Sequence, residues 1–284
     1  MNQPMIVGAN GQLGQELQKY LKELNIPFDA LTEKKLDITD LNAVQKQVEL
    51  LKPSIIYDCA AYTAVDKAED EGKNINWIVN VKGTQNLAQV AAEQNVKLVY
   101  ISTDYVFDGT NEGEYFEDDV ANPKNEYGRA KWAGEEAVRN SGANYYVIRT
   151  SWVFGEFGHN FVFTMKRLAQ THDELTVVDD QFGRPTWTRT LAEFMVHLVE
   201  TSATNGTYQL SNDNIANWYQ FAKEILKDTD VNIQPVSSDQ FPQKAYRPRH
   251  SIMNLNKAKS TGFNIPTWQE ALTLFLQSLP RENK

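Results

Sequence analysis

Met5-Ile6-Val7-Gly8-Ala9-Asn10-Gly11-Gln12-Leu13-Gly14 reads as a short apolar strand running straight into a glycine loop. Leu13, Leu17, Leu21 and Leu24 then recur at helical spacing, so the loop opens an amphipathic helix. The glycines, Gly8, Gly11 and Gly14, follow the pattern Gly-x-x-Gly-x-x-Gly. Glycine there allows a tight turn, close backbone approach to a ligand and close helix–strand contact. Free N–H groups and the dipole at the helix start favour an anion. Strand, loop and helix in this order predict a cradle for a dinucleotide pyrophosphate.

The same alternation continues outward. Residues 28–32 read as a second strand, 43–51 as a helix stopped by Pro53, and 54–59 as a third strand. A long helix is expected over 74–94 and an apolar strand over 97–102. Tyr127 opens a further helix that Gly142 ends, and 145–149 form the next strand. Near-continuous apolar strands alternating with helices predict a parallel sheet covered on both faces. The expected fold is therefore α/β, a doubly wound parallel sheet over residues 1–150. Beyond Trp152 the pattern is less regular: helices over 160–171, 190–200, 218–227 and 267–279, and a strand over 175–178. These pieces predict a smaller C-terminal substrate-binding domain over 151–284, with a helix near 188–203 returning to the first domain.

Composition narrows the function. The 284 residues carry 28 Lys plus Arg against 37 Asp plus Glu, a formal net charge of −9. That argues against a broad nucleic-acid surface and against docking on anionic lipid, while leaving room for a local basic cluster. No apolar stretch approaches the roughly 20 residues that span a membrane. Met1-Asn2-Gln3-Pro4 lacks the pattern of a signal peptide. The single cysteine, Cys59, cannot pair internally and reads as a small buried hydrophobe on a strand. A cytoplasmic protein is expected. His159, His172, His197 and His250 are scattered without ligand spacing, so no metal is expected.

The chemistry is read from Tyr127-Gly128-Arg129-Ala130-Lys131. Tyr127 and Lys131 lie one helical turn apart on one face. A phenol titrating near ~10 is a poor acid or base at neutral pH, and a neighbouring cation is expected to bring it into range. The fourth strand ends in Ser102-Thr103-Asp104, where the Thr103 hydroxyl can bond a substrate oxygen as its charge changes. Ser102 has the simpler task of satisfying backbone groups. Thr103, Tyr127 and Lys131 form the expected catalytic set of a reductase. After the second strand, Glu33 and Asp37 favour NAD(H), while Lys34 and Lys35 favour the 2′-phosphate of NADP(H). The expectation is NADP(H), with NAD(H) tolerated.

Further segments narrow the reading: 59–69 (CAAYTAVDKAE), 102–109 (STDYVFDG), 149–155 (RTSWVFG) and 183–188 (GRPTWT). With the glycine loop and the Tyr127–Lys131 segment, they resemble the extended short-chain dehydrogenase/reductases. More narrowly, they resemble the bacterial dTDP-4-dehydrorhamnose reductase family, in that family's order and over nearly the whole chain. The resemblance implies a Rossmann-type fold and reduction of dTDP-4-dehydro-beta-L-rhamnose to dTDP-beta-L-rhamnose, the final step in making that activated sugar. It implies that Gly11, Gln12 and Leu13 contact the cofactor phosphates. Asp37 and Ile38 would meet the adenine region, and Ala60, Ala61 and Tyr62 the ribose-nicotinamide half. Tyr127 would give its proton to the C4 oxygen, Lys131 would hold the ribose and lower the phenol, and Thr103, Asp104 and Trp152 would border the sugar.

For the nucleotide diphosphate, the candidates in this acidic chain are Asn160, Arg184 and Arg247. Arg247 and Arg249 also fit a surface turn beside Pro248, and Trp187 and Trp218 fit a core better than a base platform. Val7 stands where the family usually has threonine. Some relatives form dimers bridged by magnesium through acidic side chains. Glu16 fits an exposed helix position and Thr190 lies where a second acid would be needed, so a monomer or homodimer without required metal is expected. Two rivals stand beside the reductase. A nucleotide-sugar epimerase or 4,6-dehydratase shares the fold, although a dehydratase needs a further acid and base, and Tyr105 rather than Glu follows Asp104. A non-catalytic NADP-binding regulatory subunit would keep the fold and reduce nothing.

Overall fold

The computed structural model describes residues 3–279, so the reading of Met1 and Asn2 lies outside the described residues. Among the described residues a six-stranded parallel sheet runs in the order β2 (Asp29–Leu31), β1 (Met5–Val7), β3 (Ile55–Asp58), β4 (Lys97–Thr103), β5 (Tyr145–Thr150) and β10 (Gly206–Gln209). Successive side chains of a strand face opposite ways. Met5 and Val7 therefore enter one core with Ile56, Leu98, Tyr100 and Val147, while Ile6 enters the other with Tyr57, Val99, Tyr146 and Ile148. Helices cover both faces, which is why the strands need to be apolar throughout. Helix α1 (Gln12–Glu23) and the returning α7 (Thr188–Glu200) pack together on the Ile6 side as one helix layer. The second layer holds α2 (Leu41–Leu51), α4 (Thr84–Glu93) and α5 (Glu126–Arg139).

The winding reverses between β1 and β3, and this opens a crevice at their carboxyl ends, where doubly wound sheets take their ligands. The expected helix over 74–94 is present with a difference. Between α3 (Lys73–Trp77) and α4 lies a π-helical segment, Ile78–Gly83. A Cβ on Gly83 would come within 2.6 Å of Ile38 Cδ1, so this turn lies close against the segment that follows β2.

The remaining residues build a smaller aromatic core around Phe154, Phe221, Trp268 and Phe275. Its two-strand ladders are β6 (Val153–Phe154) with β9 (Thr186–Trp187), β7 (Glu174–Val178) with β12 (Asn232–Val236), and β8 (Phe182–Gly183) with β11 (Ala216–Asn217). Helices α6 (Phe161–Ala169), α8 (Trp218–Ile225) and α10 (Trp268–Ser278) complete it; α9 (Asn256–Ser260) packs beside β10.

Two expectations need correction. Cys59 follows β3 rather than lying in it and is half-buried. Glu16 is fully buried, because α7 returns over that face of α1 and sets Arg189 Nη1 3.6 Å from its Oε1.

Candidate active site

The crevice starts from the glycine loop. Gly8 has φ +69°, and a Cβ there would sit 2.5 Å from the Ala60 nitrogen, so β1 and β3 end in direct backbone contact. Gly11 N–H donates to Gly8 O at 2.9 Å and closes the turn. The α1 N-cap, Gly11, has no side-chain cap, so the first N–H groups of the helix stay open to an anion. The hollow here measures about 340 Å³ and is bordered by Gly8, Asn10, Gly11, Glu33, Leu36–Thr39, Cys59–Tyr62, Ile75, Ile78 and Val79. These residues fit a dinucleotide: a side-chain-free wall for the pyrophosphate, apolar walls for flat rings, and acidic groups at the ribose side. A larger hollow of about 440 Å³ lies around Lys52, Pro53, Asn95 and Val96 at the opposite ends of the strands, away from all the candidate catalytic groups.

Side chains buried behind the crevice hold its walls. Asn80, within the π-helical turn, accepts from Tyr62 N–H at 3.1 Å and donates to Tyr62 O at 3.0 Å. Asn86 donates to Ile38 O at 2.9 Å and Thr39 O at 3.0 Å. Asp37 accepts from the Thr39 hydroxyl at 2.7 Å. Lys34 and Lys35 are exposed beside Glu33, so the rim carries both signs.

At the carboxyl end of β4 the candidate proton-handling groups converge. Thr103 pairs with Thr150 of β5. Its hydroxyl donates to Asp104 Oδ1 at 3.0 Å and accepts from Tyr105 N–H at 3.2 Å. Helix α5 begins under the Asn125 cap, which accepts from Gly128 N–H at 2.7 Å. A Cβ on Gly128 would lie 2.2 Å from Tyr105 O; glycine is what brings α5 close enough to set Tyr127 beside Thr103. Tyr105 packs edge-on to Tyr127, ring centroids 6.0 Å apart.

The electrostatics correct one expectation. Burial pushes the Tyr127 phenol well above its ordinary value, and the Asp104 charge adds to the rise. Lys131, buried, has no hydrogen-bond partner for its Nζ among the described residues and rests 4.1 Å from the centre of the Tyr100 ring. Burial lowers Lys131 to about 8, against the pull of Asp58 and Glu135. Its cation therefore answers to carboxylates behind it, while burial dominates at the phenol. Asp104 is also buried, with Oδ2 unpartnered among the described residues, and burial raises it to about 6 against the hydrogen bond from Thr103.

The substrate-side candidates separate. Trp152 follows β5 with φ +48° and stacks on Trp218. Arg247 binds Asp66 at 2.9 Å through Nη2, lies 5.8 Å from the Tyr105 ring, and keeps Nη1 unpartnered. Arg184 is different from expectation: its buried guanidinium bonds Glu114 at 2.7 Å and the Met253 carbonyl. Asn160 caps α6 and donates to Gln12 Oε1 at 3.1 Å and Gly155 O at 2.8 Å. Both are engaged inside the protein; among the described residues Arg184 Nε and Arg247 Nη1 are left without a hydrogen-bond partner. Arg249 is exposed and Trp187 packs against the smaller core.

The sequence profile of the RmlD substrate binding domain matches residues 2–281. The chain belongs to that family. A dTDP-4-keto-6-deoxy-D-glucose reductase of Streptomyces niveus is 38% identical, covering 95% of this chain and 94% of the relative. A dTDP-4-dehydrorhamnose reductase of Aggregatibacter actinomycetemcomitans is 36% identical, covering 94% and 96%. The crystal structure of the Bacillus anthracis strain Ames dTDP-4-dehydrorhamnose reductase, in complex with NADP, superposes with a TM-score of 0.94 at 40% identity over 98% of this chain and 99% of that one.

In this member of the RmlD family, sequence reasoning passed over the buried polar groups. Asn80 and Asn86 stand where helical spacing predicts apolar residues, and that misfit is the signal that could have marked them. Glu135 accepts from Ser102 Oγ at 2.5 Å and from Arg149 at 2.9–3.3 Å. One turn after Lys131, it reads in sequence as an ordinary surface acid; the burial of Arg149 and Glu135 appears only in the fold.

Proposed function

We propose that this chain reduces dTDP-4-dehydro-beta-L-rhamnose to dTDP-beta-L-rhamnose with NADP(H), tolerating NAD(H), as the final step of dTDP-L-rhamnose biosynthesis. The carrying observation is Tyr127 set beside Thr103 and one helical turn before a buried Lys131 whose Nζ has no hydrogen-bond partner among the described residues, at the lip of a dinucleotide crevice. Gly8, Gly11, Gln12, Leu13 and Gly14 hold the pyrophosphate on backbone. Asp37 and Ile38 border the adenine, and Ala60, Ala61 and Tyr62 the ribose-nicotinamide half; Lys34 and Lys35 offset the 2′-phosphate. When bound, the nicotinamide supplies hydride to C4 of the sugar.

The residues of the chain govern the proton. Reduction requires a phenol that still carries its proton, and burial of Tyr127 keeps it neutral until the C4 oxygen becomes basic. As the proton leaves, Lys131 and the Thr103 hydroxyl stabilise the phenolate, and the ammonium also holds the ribose. Asp104 and Trp152 border the sugar. Arg247 offers its free Nη1 to the diphosphate; Asn160 and Arg184 shape the same side from within the protein. In this reading residues 1–150, with the helix near 188–203, serve the cofactor, and 151–284 mainly cover the substrate. The enzyme works in the cytoplasm as a monomer or homodimer, without nucleic acid.

A second substrate is favoured by the Streptomyces relative, whose name specifies dTDP-4-keto-6-deoxy-D-glucose. The test is NADPH oxidation, followed by absorbance, with each 4-keto sugar nucleotide and identification of the product. Rapid oxidation yielding dTDP-rhamnose supports the proposal. Turnover only of the glucose-derived ketone replaces the substrate, and NADPH binding without any oxidation returns the regulatory-subunit reading.

A further inference from the structure

Trp152 is held on both faces. Its ring centroid lies 3.8 Å from that of Trp218, with an interplanar angle of 13°. A Cβ on Gly183 would fall 2.8 Å from Trp152 Cε2, 2.9 Å from Cζ2 and 3.1 Å from Nε1. Cε2, the ring-fusion atom, is nearest, so Gly183 approaches over the ring and not along its edge. Were Trp218 on that same side, its atoms would be nearer still to this point; the two contacts therefore cover opposite faces.

The arrangement is built, not incidental. Gly183 of β8 pairs with Ala216 of β11, and Trp218 follows two residues later at the start of α8, so one ladder sets both sides of the slot. Asn217 and Gln220 cap α8 reciprocally, and Asn217 donates to Asp179 O at 2.9 Å. Phe161 tilts against the outer side of the pair, 4.7 Å from Trp218. The left-handed turn at Trp152, uncommon for a bulky residue, is fixed by Ser151 Oγ donating to Arg184 O at 2.7 Å and Thr186 N–H donating to Trp152 O at 3.2 Å. Trp152 itself remains half-buried, and its Nε1–H takes part in none of the hydrogen bonds among the described residues.

We infer that Trp218 and Gly183 are positioning residues that present Trp152 edge-on, so that its indole N–H donates to a hydroxyl of the bound sugar instead of stacking on the ring. Stacking is blocked because neither face is open. Only the rim of the indole remains, and its one polar atom is the unpartnered N–H. The inference rests on the nucleotide-sugar reading above.

The test uses steady-state kinetics of four proteins with dTDP-4-dehydrorhamnose and NADPH. Trp218→Leu removes one side of the slot and Gly183→Ala drives a methyl into the other; each raises the KM for the sugar nucleotide about 10-fold, with the KM for NADPH unchanged. Trp218→Phe keeps an aromatic face and restores KM to within about 3-fold of wild type, although the CD band of the coupled indole pair disappears. Trp152→Phe fills the slot without an N–H donor and raises KM about 10-fold. Wild-type KM in Gly183→Ala and Trp152→Phe overturns the inference, as does a Trp218→Phe as impaired as Trp218→Leu. An inactive wild type would instead refute the substrate reading, so the two failures are distinguishable.

Discussion

Replacing Gly14 by alanine sets two physical effects against each other. Gly14 is the third residue of α1, where alanine favours the helix by about 1 kcal/mol on propensity alone. A Cβ there, however, would lie 2.4 Å from Gly8 O and 2.9 Å from Ala9 Cα, both backbone atoms. Reaching ordinary contact requires a shift of about 1 Å. Overpacking of this kind costs roughly 1–3 kcal/mol, so the clash outweighs propensity and the variant is less stable. Gly8 O also accepts the Gly11 N–H that closes the cradle, so the shift moves the phosphate-facing backbone. Hydrogen bonds to charged groups are worth about 1.5–3 kcal/mol, which predicts a 10- to 100-fold rise in the NADPH Kd. Titration of NADPH fluorescence and a thermal melt measure both. Gly142→Ala is the control: φ is +80° but nothing lies within 4 Å of its Cβ, so it loses stability and keeps NADPH affinity. A Gly14→Ala protein that melts higher and binds NADPH normally would refute the cradle argument.

Tyr127→Phe keeps the ring and removes the proton, so kcat falls on the order of 10² or more while NADPH titration is unchanged; near-normal turnover removes Tyr127 as the acid. Glu135→Gln leaves the buried Arg149 guanidinium without its carboxylate and lowers stability by about 3–5 kcal/mol in urea unfolding; a loss below about 1 kcal/mol contradicts the buried-pair reading. Glu16 is raised from 4.5 to about 6 by burial, with Glu156 adding and Lys19 and Arg189 opposing. The folded protein thus binds this proton more tightly, and stability is lost as pH rises through that range. Glu16→Gln should match wild type near pH 4 and exceed it by about 2 kcal/mol at pH 7.5; lower stability at pH 7.5 contradicts this sign.

What could be read from sequence was whatever is local. The strand–glycine–helix opening and the Tyr127–Lys131 spacing depend on neighbours within a few turns, and both stand in the fold. Strand β10 was missed because Gly206-Thr207-Tyr208-Gln209 lacks an apolar run; pairing with β5 makes it a strand, and buried Gln209 donates to Tyr115 O at 3.0 Å. The π-helical turn depends on Asn80 reaching Tyr62 and on Gly83 meeting Ile38, contacts that helical periodicity does not encode. Arg184 showed its charge but not Glu114, 70 residues away. The phenol was expected to fall because Lys131 was visible at four residues' distance; Glu135 lies equally close to Lys131 on its other side, but its burial and the approach of Asp58 arise only on folding.

The central claim is hydride delivery to one carbon of a nucleotide sugar. C4-deuterated NADPH, carrying the label on the transferred face, tests it in a single turnover with dTDP-4-dehydrorhamnose. The account predicts dTDP-rhamnose with deuterium at C4 of the sugar, read by NMR. Bound cofactor that keeps its deuterium, or label at any other carbon, would contradict it.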